Sequence, residues 1–98
     1  MNTEIKYPVL TDAQNMAKQH QVTFAVPEWA ALHSLKTGDF VKICCMGERF
    51  WVEITRITPH WHEGTVDNKL VNTEDHQLIE GDLVAFEAKN VYAILKHP

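Results

Sequence analysis

The sequence predicts an α+β chain that is mostly β: two short helices near its start, then a strongly bent antiparallel sheet of about five strands, with a small SH3-like barrel as its closed form. Three observations predict this. Apolar spacing is helical early in the chain and becomes alternating after the turn signal Lys36-Thr37-Gly38-Asp39. Strong β-formers then gather in short runs separated by Gly, Asp and Asn. The length of 98 residues suits one domain with one modest core, which excludes a multidomain enzyme.

Thr11-Asp12-Ala13-Gln14 has the form of a capping box, so a helix is expected over residues 12–20, with Ala13, Met16, Ala17 and His20 on one face. Val22 to Val26 is a β-favouring run that stops at Pro27, a residue suited to the first turn of a helix. A second short helix is therefore expected from Glu28 to Ser34, with Trp29, Leu32 and His33 facing inward. Phe40 to Met46 reads as the first strand, Gly47-Glu48 as a reversal, and Arg49 to Thr58 as the second strand of a hairpin. Along that second strand Phe50, Val52 and Ile54 point to the core, and Arg49, Trp51, Glu53 and Thr55 point away. Ile57 breaks the alternation, which predicts a bulge near Thr55–Arg56.

Glu63 to Asp67 is the third strand, closed by the turn Asp67-Asn68-Lys69. Leu83 to Phe86 and Val91 to Leu95 are the fourth and fifth, separated by Ala88-Lys89-Asn90. The expected core is Phe40 or Val41, Ile43, Phe50, Val52, Ile54, Val66, Leu83 or Val84, Phe86 and Tyr92. Leu35-Lys36-Thr37-Gly38-Asp39-Phe40-Val41 is echoed 43 residues later by Leu78-Ile79-Glu80-Gly81-Asp82-Leu83-Val84. We read the echo as two equivalent turns, in which Gly supplies a positive φ and Asp caps the turn, rather than as a duplication.

These residues carry a family pattern. Gly38-Asp39-Phe40-Val41-Lys42, Glu48-Arg49-Phe50-Trp51-Val52-Glu53-Ile54-Thr55, Gly64-Thr65-Val66-Asp67-Asn68 and Gly81-Asp82-Leu83-Val84-Ala85-Phe86, followed by Asn90-Val91-Tyr92, together resemble the YegJ-like family of bacterial proteins of unknown function. The resemblance spans about residues 22–95 and implies a compact β-rich bacterial domain with no established activity. Residues 1–21 then read as an extension bearing a short helix, within a single domain of residues 1–98.

Charge and cysteine content narrow the function classes. Nine Lys and Arg against thirteen Asp and Glu give a net charge of −4, which disfavours binding to a phosphate backbone. No apolar stretch approaches membrane-spanning length and no secretory h-region follows Met1, so the expected chain is soluble and cytoplasmic. The only cysteines, Cys44 and Cys45, are neighbours, poorly placed for a mutual disulfide and expected to be reduced packing residues on opposite strand faces. His60-Trp61-His62-Glu63 could offer two imidazoles to one metal, but it lacks a third ligand nearby; the expected reading is an exposed loop, with no metal and no cofactor.

No nucleophile elbow, phosphate loop or H-E-x-x-H motif is present, so no catalytic residue is assigned. Glu48 and Glu53 are expected on opposite faces, each as a solvated carboxylate. Trp51 leaves two readings open: burial under an N-terminal helix against Trp29 or Met16, or a presented aromatic anchor between opposite charges. The second reading gives the candidate binding set Trp51, Arg49, Glu53, Asp67, Asn68 and Asn72. The function expected from it is a small non-catalytic module for a protein or peptide partner, the chain itself being a monomer or weak homodimer. A nucleic-acid-binding small barrel and a small enzyme without a recognisable motif are the alternatives.

Overall fold

The computed structural model describes residues 4–19 and 25–97. The described chain begins with β1 (Ile5–Lys6), α1 (Ala13–Gln19) and α2 (Trp29–His33), and continues through β2 (Phe40–Cys45), β3 (Glu48–Ile57) and β4 (His62–Val66). The one-turn helix α3 (Thr73–His76), β5 (Leu83–Phe86), a 3-10 turn at Ala88–Asn90 and β6 (Ala93–Leu95) follow.

Strands β2 to β5 form an antiparallel meander, β6 returns antiparallel along the other side of β2, and β1 joins β5 in parallel. The resulting order, β1-β5-β4-β3-β2-β6, is an open six-stranded sheet with β1 and β6 at its edges. This corrects the expected five-stranded antiparallel sheet and its SH3-like barrel form. The sixth strand is the two-residue β1, too short to leave a periodic signal, and its parallel partner Leu83-Val84 lies at the far end of the chain. Because the parallel β1 lies on β5 and β6 lies on β2, the ladder ends on two separate edges and does not close.

The β2–β3 hairpin turns at Met46-Gly47, one residue earlier than expected, and both residues take positive φ, 48° and 85°. That backbone matches the twist of the strands it joins, and Gly47 adopts it without cost. The expected bulge is present: the β3–β4 register shifts between Ile54 and Arg56. Beside it, a side chain at Gly64 would strike the Glu53 carbonyl, so this position holds the two strands at close approach.

The helix termini depart from expectation. Asp12, not Thr11, caps α1 by accepting the Asn15 N–H at 3.0 Å, while the Gln14 side chain donates to the Pro27 carbonyl at 3.0 Å. Within α2 only Leu32 is buried; Trp29 is 49% exposed and lies against His33 instead of the core. A five-residue helix has room for one inward residue. The expected His20, and Val22 to Phe24 of the β-favouring run, lie outside the described residues.

Alternation sorts the sheet into two faces. Val41, Ile43, Cys45, Phe50, Val52, Ile54, Val66, Val84 and Phe86 form the inner face, covered by Leu32 and Leu35 from the α2 segment and by Leu78 after α3. Phe40 and Leu83, the alternatives offered for two core positions, are only partly buried. Cys44 and Tyr92 instead meet Ala13 and Val26 in a second, smaller cluster on the outer face. The two free cysteines thus lie in different clusters, as alternation requires.

The sequence echo is a repeated structural device. Gly38 and Gly81 both take φ 92°, and the carboxylates of Asp39 and Asp82 accept the N–H groups of Lys36 and Ile79, each at 2.9 Å. Gly38 N–H donates to the Ile54 carbonyl and Ile54 N–H returns to Asp39; Gly81 and Val66 repeat the exchange around Asp82. Each buried carboxylate also receives a lysine from a chain end: Lys96 reaches Asp39 at 2.6 Å, and Lys6 reaches Asp82 at 2.8 Å.

Burial by itself would raise the Asp39 pKa, but donors from His97 N–H, Lys96 and Lys36 N–H outweigh it and hold the group at about 2. A folded pKa below the unfolded value stabilises the fold above about pH 4, and the contribution is lost as pH falls toward 2. With Lys96 half exposed and screened by solvent, this is worth about 1–2 kcal/mol. Acid titration of urea-unfolding stability is expected to show that loss in the wild-type chain and a reduced one in Asp39→Ala. At neutral pH the substitution should cost about 2 kcal/mol or more, through the buried N–H groups it leaves unpaired.

Candidate functional site

The outer face of β2 and β3 brings most of the sequence-nominated residues together. Register places Cys44 opposite Arg49, Lys42 opposite Trp51 and Phe40 opposite Glu53, and directly opposed residues share a face. On the other side of β3, Thr65 lies opposite Glu53, and the chain continues from β4 so that Asp67 N–H donates to the Trp51 carbonyl at 2.9 Å. Asn68 Oδ1 then accepts the Trp51 N–H at 2.8 Å. The segment after β4 is therefore tied to the Trp51 backbone by one main-chain bond and one Asn68 side-chain bond, which fixes Asp67 beside the indole.

Trp51 is half-buried and forms a groove of about 200 Å³ with Phe40, Asp67 and Leu95. The groove is walled by Phe40 and Leu95 of the strands and by Asp67, and neither Trp29 nor Met16 lines it. Two cations are stacked on aromatic rings across this face: Lys42 Nζ is 4.9 Å from the Trp51 ring centre, and the Arg49 guanidinium is 4.4 Å from that of Tyr92. Each contact contributes roughly 0.5–1 kcal/mol at an exposed site and holds a long side chain in a defined place. Glu53 and the exposed Asp67 complete a mixed-charge rim.

Asn72 does not join this surface. It precedes α3, and its N–H donates at 2.9 Å to Glu48, whose side chain shares the inner-face parity of Phe50 and Val52. Glu48 is likewise no solvated carboxylate: only 10% of its side chain is exposed, and it also accepts Val71 N–H and His76 Nε2, both at 2.8 Å. His76 Nδ1 accepts the Leu78 N–H at 3.1 Å, which assigns the ring proton to Nε2 and makes the imidazole a donor to Glu48. Burial alone would raise the Glu48 pKa; the donors from His76, Val71 and Asn72 outweigh it and lower it. Sequence reasoning missed this pair because α3 is one turn long and the partners are 28 positions apart. The bonds of this pair fasten the β4–β5 connection to the sheet.

The His60-Trp61-His62 loop splits its imidazoles. Thr58 Oγ1 accepts the N–H groups of His60 and Trp61 and closes a tight turn, leaving His60 exposed, whereas His62 packs edge-on against Phe86 with ring centres 5.5 Å apart. Trp61 Nε1 donates to the buried Glu63 at 2.8 Å. A cavity of about 350 Å³ beside this loop is lined by Leu32, Leu35 and Ile57 with His33, His60 and His62 on its polar side. Burial pushes the His62 pKa down, and its Nδ1 lacks a hydrogen-bond partner among the described residues. No group of three His, Cys, Asp or Glu able to hold a metal occurs among the described residues.

Two further features offer no chemistry. A cleft of about 410 Å³ between the segment after β1 and the 3-10 turn is lined by Tyr7, Pro8, Leu10, Trp61 and Phe86 together with Glu87 and Lys89, whose exposed charges pair with each other at 3.4 Å. Burial pushes the Cys45 thiol up in pKa, away from the thiolate that nucleophilic chemistry needs. Among the described residues no helix is long and apolar enough to cross a membrane. No family model, curated protein or solved structure matches this chain.

Glu48→Ala should lower stability by about 3 kcal/mol in urea unfolding, since it strands three donors at a part-buried position. Glu48→Gln, which keeps an acceptor oxygen, should cost less. The lowered Glu48 pKa makes its contribution present above the ordinary carboxylate range and lost as the solution is acidified through the folded value. Treatment with EDTA should leave the unfolding midpoint unchanged, because the described residues hold no group of three His, Cys, Asp or Glu that could bind a metal.

Proposed function

We propose that this chain is a non-catalytic cytoplasmic binding module for a protein or peptide, with its contact surface on the outer face of β2, β3 and β6 around Trp51. One observation carries the reading: the inner face already supplies a closed apolar core, yet Trp51 stands on the opposite face in a groove with Phe40, Leu95 and Asp67. A half-buried indole surrounded by fixed polar groups of both signs is the composition of an interface anchor. Arg49, Glu53 and Asn68 belong to its surroundings, and Asn72 does not.

The stacked pairs Lys42–Trp51 and Arg49–Tyr92 also resemble a platform for single-stranded nucleic acid. Glu53 and Asp67 on the same rim, with a net charge of −4, oppose that use by repelling phosphate. A small enzyme is disfavoured because the groove pairs no nucleophile with a base.

Trp51→Ala tests the surface. Urea unfolding should show a loss of about 1 kcal/mol or less, while retention of partner proteins from the native cell extract should fall at least about thirtyfold. A stability loss of about 3–5 kcal/mol would instead mark Trp51 as core. Binding of oligonucleotides that weakens steeply with salt would favour the nucleic-acid reading.

A further inference from the structure

Four charges surround Trp51, and their arrangement has a direction. Along β3 the outward residues run Arg49, Trp51, Glu53: cation, aromatic, anion. Across the strands the row through Trp51 runs Lys42, Trp51, Asp67: again cation, aromatic, anion. The two steps along β3 span about 7 Å and one step across the sheet about 5 Å, so the backbone positions of the four residues lie at comparable distances from that of Trp51, with the Lys42 charge drawn over the indole and the Arg49 charge over Tyr92. Both cations occupy one diagonal half of the face and both anions the other.

We infer that the partner of this surface is a second copy of this chain, docked about a two-fold axis that runs along the boundary between those halves. The inference rests on the reading of the Trp51 face as a contact surface. A two-fold interface must be self-complementary, because each patch meets its own copy. The diagonal axis satisfies this for all four charges together: Arg49 meets Asp67 of the partner subunit, Lys42 meets Glu53 of the partner subunit, and both contacts occur twice. An axis along β3 would set Arg49 against its own copy, and one perpendicular to β3 would do the same to Lys42 and Asp67. The diagonal solution crosses the two sheets at nearly a right angle, one of the two ordinary ways in which sheets pack.

The apolar centre is Trp51 with Phe40 and Leu95, the last 60% exposed in the single chain. Stacking on Trp51 and Tyr92 already holds Lys42 and Arg49 in place, so less side-chain freedom is lost on association. A face of this extent buries on the order of 1,000 Å² in total, at the low end for specific association, so the dimer expected is a weak one.

Sedimentation equilibrium of the full chain from about 1 µM to about 1 mM tests this. The expected result is a concentration-dependent dimer that weakens with salt, and Trp51→Ala should abolish it over that range. Arg49→Asp and Asp67→Arg should each weaken self-association about tenfold or more, with circular dichroism confirming that each variant is folded. Mixing those two single variants should restore a heterodimer of wild-type strength, since every contact is again between opposite charges. Mixing Arg49→Asp with Glu53→Arg should not restore it, because those residues do not face each other. A chain monomeric throughout the range, or a dimer indifferent to these reversals and mixtures, would overturn the inference. Either result leaves the contact-surface reading intact if Trp51→Ala still loses a different protein from the cell extract; if that substitution changes neither, the surface itself is refuted.

Discussion

The two buried carboxylates of Asp39 and Asp82 are the constraint on which the sheet depends. Each closes its own turn, each sits in front of a strand, and each receives a lysine from a different end of the described chain. Lys6 next to Asp82 belongs to β1, which lies parallel to β5; Lys96 next to Asp39 follows β6, which lies antiparallel to β2. The two edge strands have two and three residues and could not hold position on ladder bonds alone. A charge-assisted bond to a carboxylate that is already buried and oriented gives each edge a fixed anchor. Neither carboxylate remains available for chemistry as a consequence.

With its edges fixed, the sheet can leave one face partly uncovered. The inner face holds the larger apolar cluster, and on the outer face Ala13 of α1 packs on Cys44 and Tyr92. The remainder of the outer face carries cross-strand pairs that support themselves: Lys42 with Trp51, Phe40 with Leu95, and Glu53 with Thr65. Such pairs stabilise a two-stranded surface modestly without requiring a second layer. This surface combines a fixed aromatic, a shallow apolar groove and charges of both signs.

The Glu48–His76 pair shows how a polar contact can resemble a reactive one. A carboxylate beside an imidazole of defined tautomer is half of a general-base arrangement. Here the imidazole's other nitrogen is consumed by Leu78 N–H, and the carboxylate by two N–H groups of the β4–β5 connection. All of these acceptors are engaged by backbone N–H groups of the connection, so the pair acts as a clasp that keeps α3 and Leu78 over the inner face.

Sequence by itself determined the parts that depend on local periodicity. Alternation along Arg49 to Ile54 placed Phe50, Val52 and Ile54 inside and Trp51 outside, and the interruption at Ile57 located the bulge, because strand parity is a property of the chain alone. The repeated Gly-Asp motif likewise announced two equivalent turns, since a positive φ and a capping carboxylate are local requirements. Tertiary structure decided everything that needed a distant partner: the two-residue β1 and its parallel neighbour, the lysine on each buried Asp, and the fate of the acidic and amide candidates. Asp67 and Asn68 reached Trp51, whereas Asn72, four residues beyond Asn68, was drawn to Glu48 on the other side. A turn can be read from its own residues, but the face on which it ends depends on which buried donors must be satisfied, and those come from segments far apart in the chain.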